Sequence, residues 1–177
     1  VMASKIKVDT LETANGSGTI ALSNQLSGMT TASLPTLTSA EMPAGSVVQV
    51  VGFNSVATFA TTSSTFATTH LTQSITPLYA NSKIFVQVFG SVYYTGAQDH
   101  GRGQIRKDGA TITGMTDEDM LCFLAATTAR GNTISSFVTT TSGSTNATTY
   151  AYYCKSGGGA TFQLYRNSGI SITEIKQ

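Results

Sequence analysis

The sequence is poor in charge, and this shortage limits the classes of protein that it fits. Only 11% of its 177 residues are Asp, Glu, Lys or Arg, against about 25% in an average soluble domain. The net charge is +1 and the chain has no basic stripe, so we expect no nucleic-acid partner. A surface with so little charge is unusual for a free monomer, because charge guards against association.

Long apolar runs and tryptophan are absent, and cysteine is scarce. No apolar run approaches the roughly 18 residues that span a membrane, so we expect no membrane insertion. The opening VMASKIKV has no apolar core of the kind found in secretory signals. Two cysteines, Cys122 and Cys154, are too few for a disulfide framework. Buried thiols are favoured for them, and a bridge between the two stays open.

Threonine, serine and glycine are abundant in this charge-poor sequence. The chain has 30 Thr, 20 Ser and 17 Gly. Threonine is β-branched and suits a pleated surface that is polar without charge, so this composition is typical of an all-β protein. Eight of the 19 charged residues fall between Asp99 and Asp119, which is therefore the one charge-rich window.

The first part of the chain lacks the apolar residues for a core of its own. Residues 5–23, KIKVDTLETANGSGTIALS, form two short alternating runs around an Asn-Gly-Ser-Gly turn. The stretch that follows is rich in Ser, Thr, Pro and Gly and has no sustained period, as in a linker. We therefore predict an N-terminal arm and linker at 1–43 and a folded head at 44–177.

Short alternating runs separated by turn signals fill the head. They predict nine or ten strands, spaced as in a β-sandwich or jelly roll, and a helical turn is possible only within 115–126. One hairpin is expected around Asp108-Gly109. The candidate strands are 46–54, 70–77, 82–94, the two arms of 102–114, 120–126, 132–141, 147–155, 160–166 and 170–176.

The run KIFVQVFGSVYY at 83–94 is apolar on both of its faces. One face carries aliphatic residues and Tyr94. The other face carries Phe85, Gln87, Phe89, Ser91 and Tyr93, where a sandwich in water should be polar. We therefore predict that another subunit covers this second face.

Four stretches carry a family resemblance. They are ASKIKVDTLETANGSGTIALS at the start, GSVVQVV at 45–51, LTQSITPLYANSKIFVQV at 71–88 and SGISITEIKQ at the end. In order and spacing they resemble segments of the fibre proteins of tailed bacteriophages, especially those common among marine phages. The resemblance implies a homotrimer whose C-terminal jelly rolls cluster like tumour-necrosis-factor or C1q heads. It also implies a virion location and an N-terminal segment that attaches to other virion proteins of the tail or capsid.

Only residues 24–43 separate the opening hairpin from the head, whereas a long tail fibre has an extended shaft. This favours a short tail fibre or spike, and leaves a capsid head fibre or a decoration (cement) protein as the alternative. In either case the opening hairpin is the candidate docking edge. Its apolar residues are Ile6, Val8, Leu11, Ile20 and Leu22.

Catalytic and metal chemistry find little support in the sequence, so we expect no enzyme activity, no cofactor and no metal. Asp99 and His100 are adjacent, and on a strand they would point to opposite faces. The acidic run 117–119 lacks the spacing of a calcium loop, and a solvated loop explains it better. His70 could meet its copies on a trimer axis, although an ordinary histidine is the better interpretation. A glycan-cleaving enzyme is the rival class, and it needs paired carboxylates in a groove.

Binding to a host surface glycan or protein is the more plausible use of the head. Receptor sites combine aromatic faces with fixed polar groups on loops. The window 93–119 offers both, unless its two tyrosines belong to the core or to an interface. The receptor-binding candidates are Tyr93, Tyr94, Gln98, Asp99, His100 and Arg102.

Overall fold

The computed structural model describes residues 38–95, 100–115, 121–124, 130–157 and 159–177, with backbone alone at 121–124 and 130. Apart from a 3₁₀ turn at Ser39–Glu41, every regular element in these residues is a strand, as the composition predicts. In chain order, β1 to β11 are Val47–Ser55, Phe59–Thr61, Ala67–Ile75, Lys83–Tyr94, His100–Lys107, Ala110–Thr111, Leu121–Leu124, Arg130–Thr141, Thr148–Ser156, Phe162–Leu164 and Ser168–Ile175.

The predicted strands correspond to ten of these eleven. The exception is β2, which at three residues is too short to show an alternating pattern. The structure has strand β7 at Leu121–Leu124, within the range where the sequence allowed a helical turn. No helix in the part of the chain that the structure describes is long and apolar enough to cross a membrane.

The strands form two antiparallel sheets, compatible with the predicted sandwich. Sheet A has β4 at its centre, with β8 along one side and β11 followed by β10 along the other. Outside these, β1 pairs with β11 and β2 pairs with β10. Sheet B has the order β3-β9-β5, and both β6 and β7 pair with β5.

The core lies between the sheets and follows the period of two. From sheet A, β4 contributes Ile84, Val86, Val88, Val92 and Tyr94, each at most 1% exposed. From sheet B come Leu71, Ile105, Tyr150, Tyr152 and Cys154, all fully buried. Because alternate side chains of a strand point to opposite faces, these same strands must present their other residues to the outside.

The predicted hairpin around Asp108-Gly109 joins β5 to β6. Both residues have positive φ angles, 50° for Asp108 and 81° for Gly109. Two positive φ angles match the twist of the flanking strands in a two-residue hairpin, and Asp-Gly tolerates them best. The Asp108 carboxylate also accepts a hydrogen bond from the backbone N–H of Thr149, at 2.8 Å.

Residues just before β1 are hydrogen-bonded to the end of the chain. The Nζ of Lys176 donates to the backbone oxygens of Ala40 and Met42, at 2.8 and 2.7 Å. The N–H of Gly45 donates to the backbone oxygen of Lys176 at 2.7 Å. Part of the predicted linker is therefore hydrogen-bonded to the head. Residues 1–37 lie outside the described part, and the arm stays a prediction.

A buried carboxylate joins three distant segments at one end of sheet A. Glu174 in β11 is fully buried. It accepts hydrogen bonds from Ser82 Oγ at 2.5 Å, from the N–H groups of Leu78 and Tyr79, and from Gln49 Nε2 at 2.6 Å. Burial raises the pKa of Glu174, but these hydrogen bonds outweigh it and hold the pKa below its ordinary value.

We expect Glu174→Gln to lower the free energy of unfolding by about 2–4 kcal/mol, because the amide cannot accept from all of these donors. The lowered pKa of Glu174 adds a pH dependence. Its contribution is complete above the ordinary value of 4.5 and is lost as the pH falls through the lower folded-state pKa. Chemical unfolding at several pH values measures both effects.

Glu41→Gln is the matched control, because Glu41 is exposed and accepts from one backbone N–H, that of Thr38. It should change the unfolding free energy by less than about 1 kcal/mol. Equal stability of Glu174→Gln and the unmodified protein across the acid range would contradict a structural role for the buried carboxylate.

Two core tyrosines provide a second test, because both are fully buried and only one hydroxyl is satisfied. Tyr94 donates to the backbone oxygen of Gly157 at 2.7 Å, whereas the Tyr150 hydroxyl has no hydrogen-bond partner. Burial and, to a lesser extent, the Asp108 carboxylate raise the pKa of Tyr150 to about 12. Tyr94→Phe should therefore cost about 1 kcal/mol of stability, and Tyr150→Phe should be neutral or stabilising. Thermal unfolding measures the difference, and the opposite order would contradict it.

Candidate functional site

The structure separates the two predicted receptor tyrosines. Tyr94 points into the core, where it is fully buried and donates a hydrogen bond to the backbone oxygen of Gly157. Tyr93 points out of sheet A, where its ring centroid is 6.1 Å from that of Tyr165. Adjacent residues of a strand face opposite sides, so Tyr93 and Tyr94 cannot line one surface.

The other receptor candidates lie on or before β5. His100 is the first residue of β5 and is half-buried. Arg102 is also half-buried and pairs across the sheet with Lys155 of β9. Gln98 and Asp99 lie outside the described residues. A receptor role for the six candidates stays a prediction, and the described ones face at least two different directions.

The remaining candidates are placed as follows. The docking residues Ile6, Val8, Leu11, Ile20 and Leu22 and the acidic run 117–119 lie outside the described part. His70 is half-buried on β3 with its ring 6.5 Å from that of Phe59, and burial lowers the pKa of His70. Among the described residues, no group of three or more His, Cys, Asp or Glu side chains could hold a metal ion.

The outer face of sheet A carries aromatic rings and almost no charge. In β4 this face comprises the five residues that the sequence predicts, Phe85, Gln87, Phe89, Ser91 and Tyr93, together with Lys83. Directly paired residues share a face, so β8 adds Phe137 and small polar residues, and β1 adds Val50. Among the described strand positions of this face, Lys83 is the one charged residue, and it lies at the end of β4.

Several of these side chains are exposed far more than an interior face permits. Phe137 is 64% exposed, Val50 59% and Phe89 40%. The rings of Phe85 and Phe137 lie 5.8 Å apart. Phe89 covers Gly169 of β11, because a Cβ at Gly169 would overlap the Phe89 ring. Phe89, Phe137 and Val50 are therefore exposed to solvent on a face that carries almost no charge.

The outer face of sheet B differs, because it combines cations with aromatic rings. Arg102 and Arg106 of β5 lie beside Tyr153 and Lys155 of β9, with Phe66 next to β3. We call Phe66, Arg102, Arg106, Tyr153 and Lys155 the cationic patch. Of these five residues, the receptor-binding candidates predicted from the sequence include only Arg102. The alternation Arg-x-Gln-x-Arg at 102–106 was a visible signal for one shared face, but the pairing with β9 was not.

Comparison with known proteins adds no assignment: no protein-family model and no curated protein sequence matches the chain.

Proposed function

We propose that this chain is a structural protein of a tailed-phage particle: a short homotrimeric tail fibre or spike. Its N-terminal arm attaches to the particle, and its C-terminal head binds the host cell surface. The observation that carries the proposal is the aromatic, nearly uncharged outer face of sheet A, which fits burial against copies of the same chain.

We propose further that the head is a jelly roll. Strand order supports this assignment, because the eight described strands of four or more residues run β1-β11-β4-β8 in sheet A and β3-β9-β5-β7 in sheet B. Two Greek keys wrapped into eight strands give such an order, with the first and last strands side by side. Jelly rolls of this kind are the heads that the sequence resemblance implies.

The positions of the resembling segments also support the proposal. GSVVQVV contains the start of β1, LTQSITPLYANSKIFVQV runs from β3 into β4, and SGISITEIKQ contains β11. Glu174 of the last segment accepts hydrogen bonds from Gln49 of the first and from Ser82 of the second. These three stretches therefore form one hydrogen-bonded unit, which gives a physical reason for them to occur together.

Self-association through sheet A accounts for the shortage of charge. Covering the face would remove Phe85, Phe89 and Phe137 from water, and burial of such side chains is the main favourable term in association. A cyclic trimer closes through heterologous contacts, in which two different parts of each copy's surface meet around the three-fold axis. Three heads on each fibre, and several fibres on each particle, would raise avidity without new contacts.

The oligomeric state tests the interface. We expect sedimentation equilibrium at micromolar concentration to give a trimer, and Phe137→Lys to give a monomer. A lysine ammonium buried without a partner costs roughly 3–5 kcal/mol at each site. Val56→Lys is the matched control, because Val56 is 85% exposed but lies in the turn after β1, outside the sheet. A monomeric unmodified protein, or a trimer that survives Phe137→Lys, would remove the proposed interface.

The attachment role of the arm has its own test. Deleting residues 1–23 removes Ile6, Val8, Leu11, Ile20 and Leu22, which we propose dock on the particle by strand addition. We expect the shortened chain to remain a folded trimer and to be absent from purified particles in a complementation assay. Its incorporation at the normal level would show that the arm is not the attachment element.

The alternative within the same class is a capsid head fibre or decoration protein with a stabilising or adhesive role. The short stretch between hairpin and head, residues 24–43, favours a spike and leaves this capsid protein as the alternative. Labelled antibody against the head distinguishes the two by binding the tail or the capsid surface.

The carboxylates bear on the rival enzymatic role. Of the six acidic residues from 99 onward, the structure describes Asp108 and Glu174. Glu174 is buried and accepts structural hydrogen bonds, and Asp108 holds the N–H of Thr149 in a turn. These two do not form a pair in a groove. The other four acidic residues lie outside the described part, so a binding role rather than glycan cleavage stays a prediction.

A further inference from the structure

Arg106 occupies an unusual position in the cationic patch. Its guanidinium carbon lies 4.7 Å from the ring centroid of Tyr153 and 5.0 Å from that of Phe66. Its Nε donates to Gln104 Oε1 at 2.8 Å, and Gln104 is fully buried. Two rings and one amide therefore fix the plane of this guanidinium before any ligand arrives.

The outer part of the Arg106 fork is available to a ligand. Beyond Nε, the guanidinium has four N–H donors on its two Nη atoms. Among the described residues, Gln104 is the side chain to which Arg106 donates. Arg106 and Tyr153 are each half-buried rather than enclosed. A fixed planar fork with unused donors matches a carboxylate, which it binds through two parallel hydrogen bonds.

Two further cations lie near Arg106 on the outer face of sheet B. Arg102 and Lys155 lie directly opposite each other in the β5–β9 register, an arrangement that disfavours folding by itself. The Nζ of Lys155 lies 4.6 Å from the Phe66 ring centroid, on the same ring that Arg106 contacts. Three cations and two rings are thus concentrated on one face of the described part of sheet B, a composition that favours an anionic ligand over a cationic one.

We propose that the cationic patch binds an acidic polysaccharide of the cell surface through the carboxylates of its sugar rings, with Arg106 as the main contact. This inference rests on the proposed function and names the ligand class for it. Carboxylated sugars repeat their charge along a chain, so they can meet several heads at once. The hydroxyl of the half-buried Tyr153 and the edges of the two rings would add hydrogen-bonding and apolar contacts suited to a sugar. Three cations are too few for a nucleic-acid footprint on a chain of net charge +1.

Calorimetric titration of the full-length protein with a galacturonate oligomer tests the proposal. We expect binding that weakens as salt rises and no binding of neutral dextran. Arg106→Gln should weaken binding about tenfold or more, the loss of a charge-assisted hydrogen bond. Arg106→Lys keeps the charge but loses the planar fork. Its affinity should therefore fall between those of the unmodified protein and Arg106→Gln.

Arg166→Gln is the matched control, because Arg166 is exposed and lies after β10, outside the patch. It removes the same charge and should leave the affinity unchanged. Unaltered binding by Arg106→Gln, or an equal loss in Arg166→Gln, would overturn the proposal. Equal affinity for polyglutamate would overturn the saccharide assignment and indicate an acidic protein.

Failure of the proposed ligand class can be distinguished from failure of the proposed function as a trimeric virion protein. Sedimentation and particle incorporation of the Arg106 variants report on the trimer and on the virion role, and thermal unfolding reports on the fold. A folded, trimeric, particle-bound protein that does not bind the galacturonate oligomer would refute the ligand class alone. The same protein with binding that depends on Arg106 would support it.

Discussion

The end of sheet A depends on one buried carboxylate. Glu174 receives four donors from segments that lie up to 125 residues away in the chain. Its hydrogen bonds hold the β3–β4 connection at Leu78 and Tyr79 and the β1 side chain of Gln49. A buried charge persists only where hydrogen bonds compensate its lost hydration, so these segments have little freedom to move independently. Lys176, two residues later in the chain, donates hydrogen bonds to backbone oxygens of the residues before β1.

The two outer faces of the sandwich carry different kinds of side chain. The pleat sends alternate residues of β4 outward, and these are Phe85, Phe89 and Tyr93. The same rule sends Arg102 and Arg106 outward from β5. One sheet therefore presents an apolar, nearly uncharged face, and the other presents cations held against rings. A monomer leaves the aromatic rings of the first face in water, whereas burial of this face in an assembly would be favourable.

Local pattern predicted most of the fold and little of the site. Alternation identified the long strands and the apolar second face of β4, and Asp108-Gly109 identified the hairpin. The three residues of β2 are too few to show a period. The receptor candidates were chosen because they are neighbours in sequence, yet Tyr93 lies on sheet A, Tyr94 in the core and Arg102 on sheet B. The stacking of Arg106 on Phe66 and Tyr153 requires the pairing of distant strands, which composition and spacing do not encode.

The two proposed surfaces constrain each other through the geometry of a sandwich. Sheets A and B are opposite sides of one layer of core, so packing three copies through sheet A turns every sheet B outward. Such a trimer would display three cationic patches, and weak binding at each would combine into strong attachment to a repeating anionic polymer.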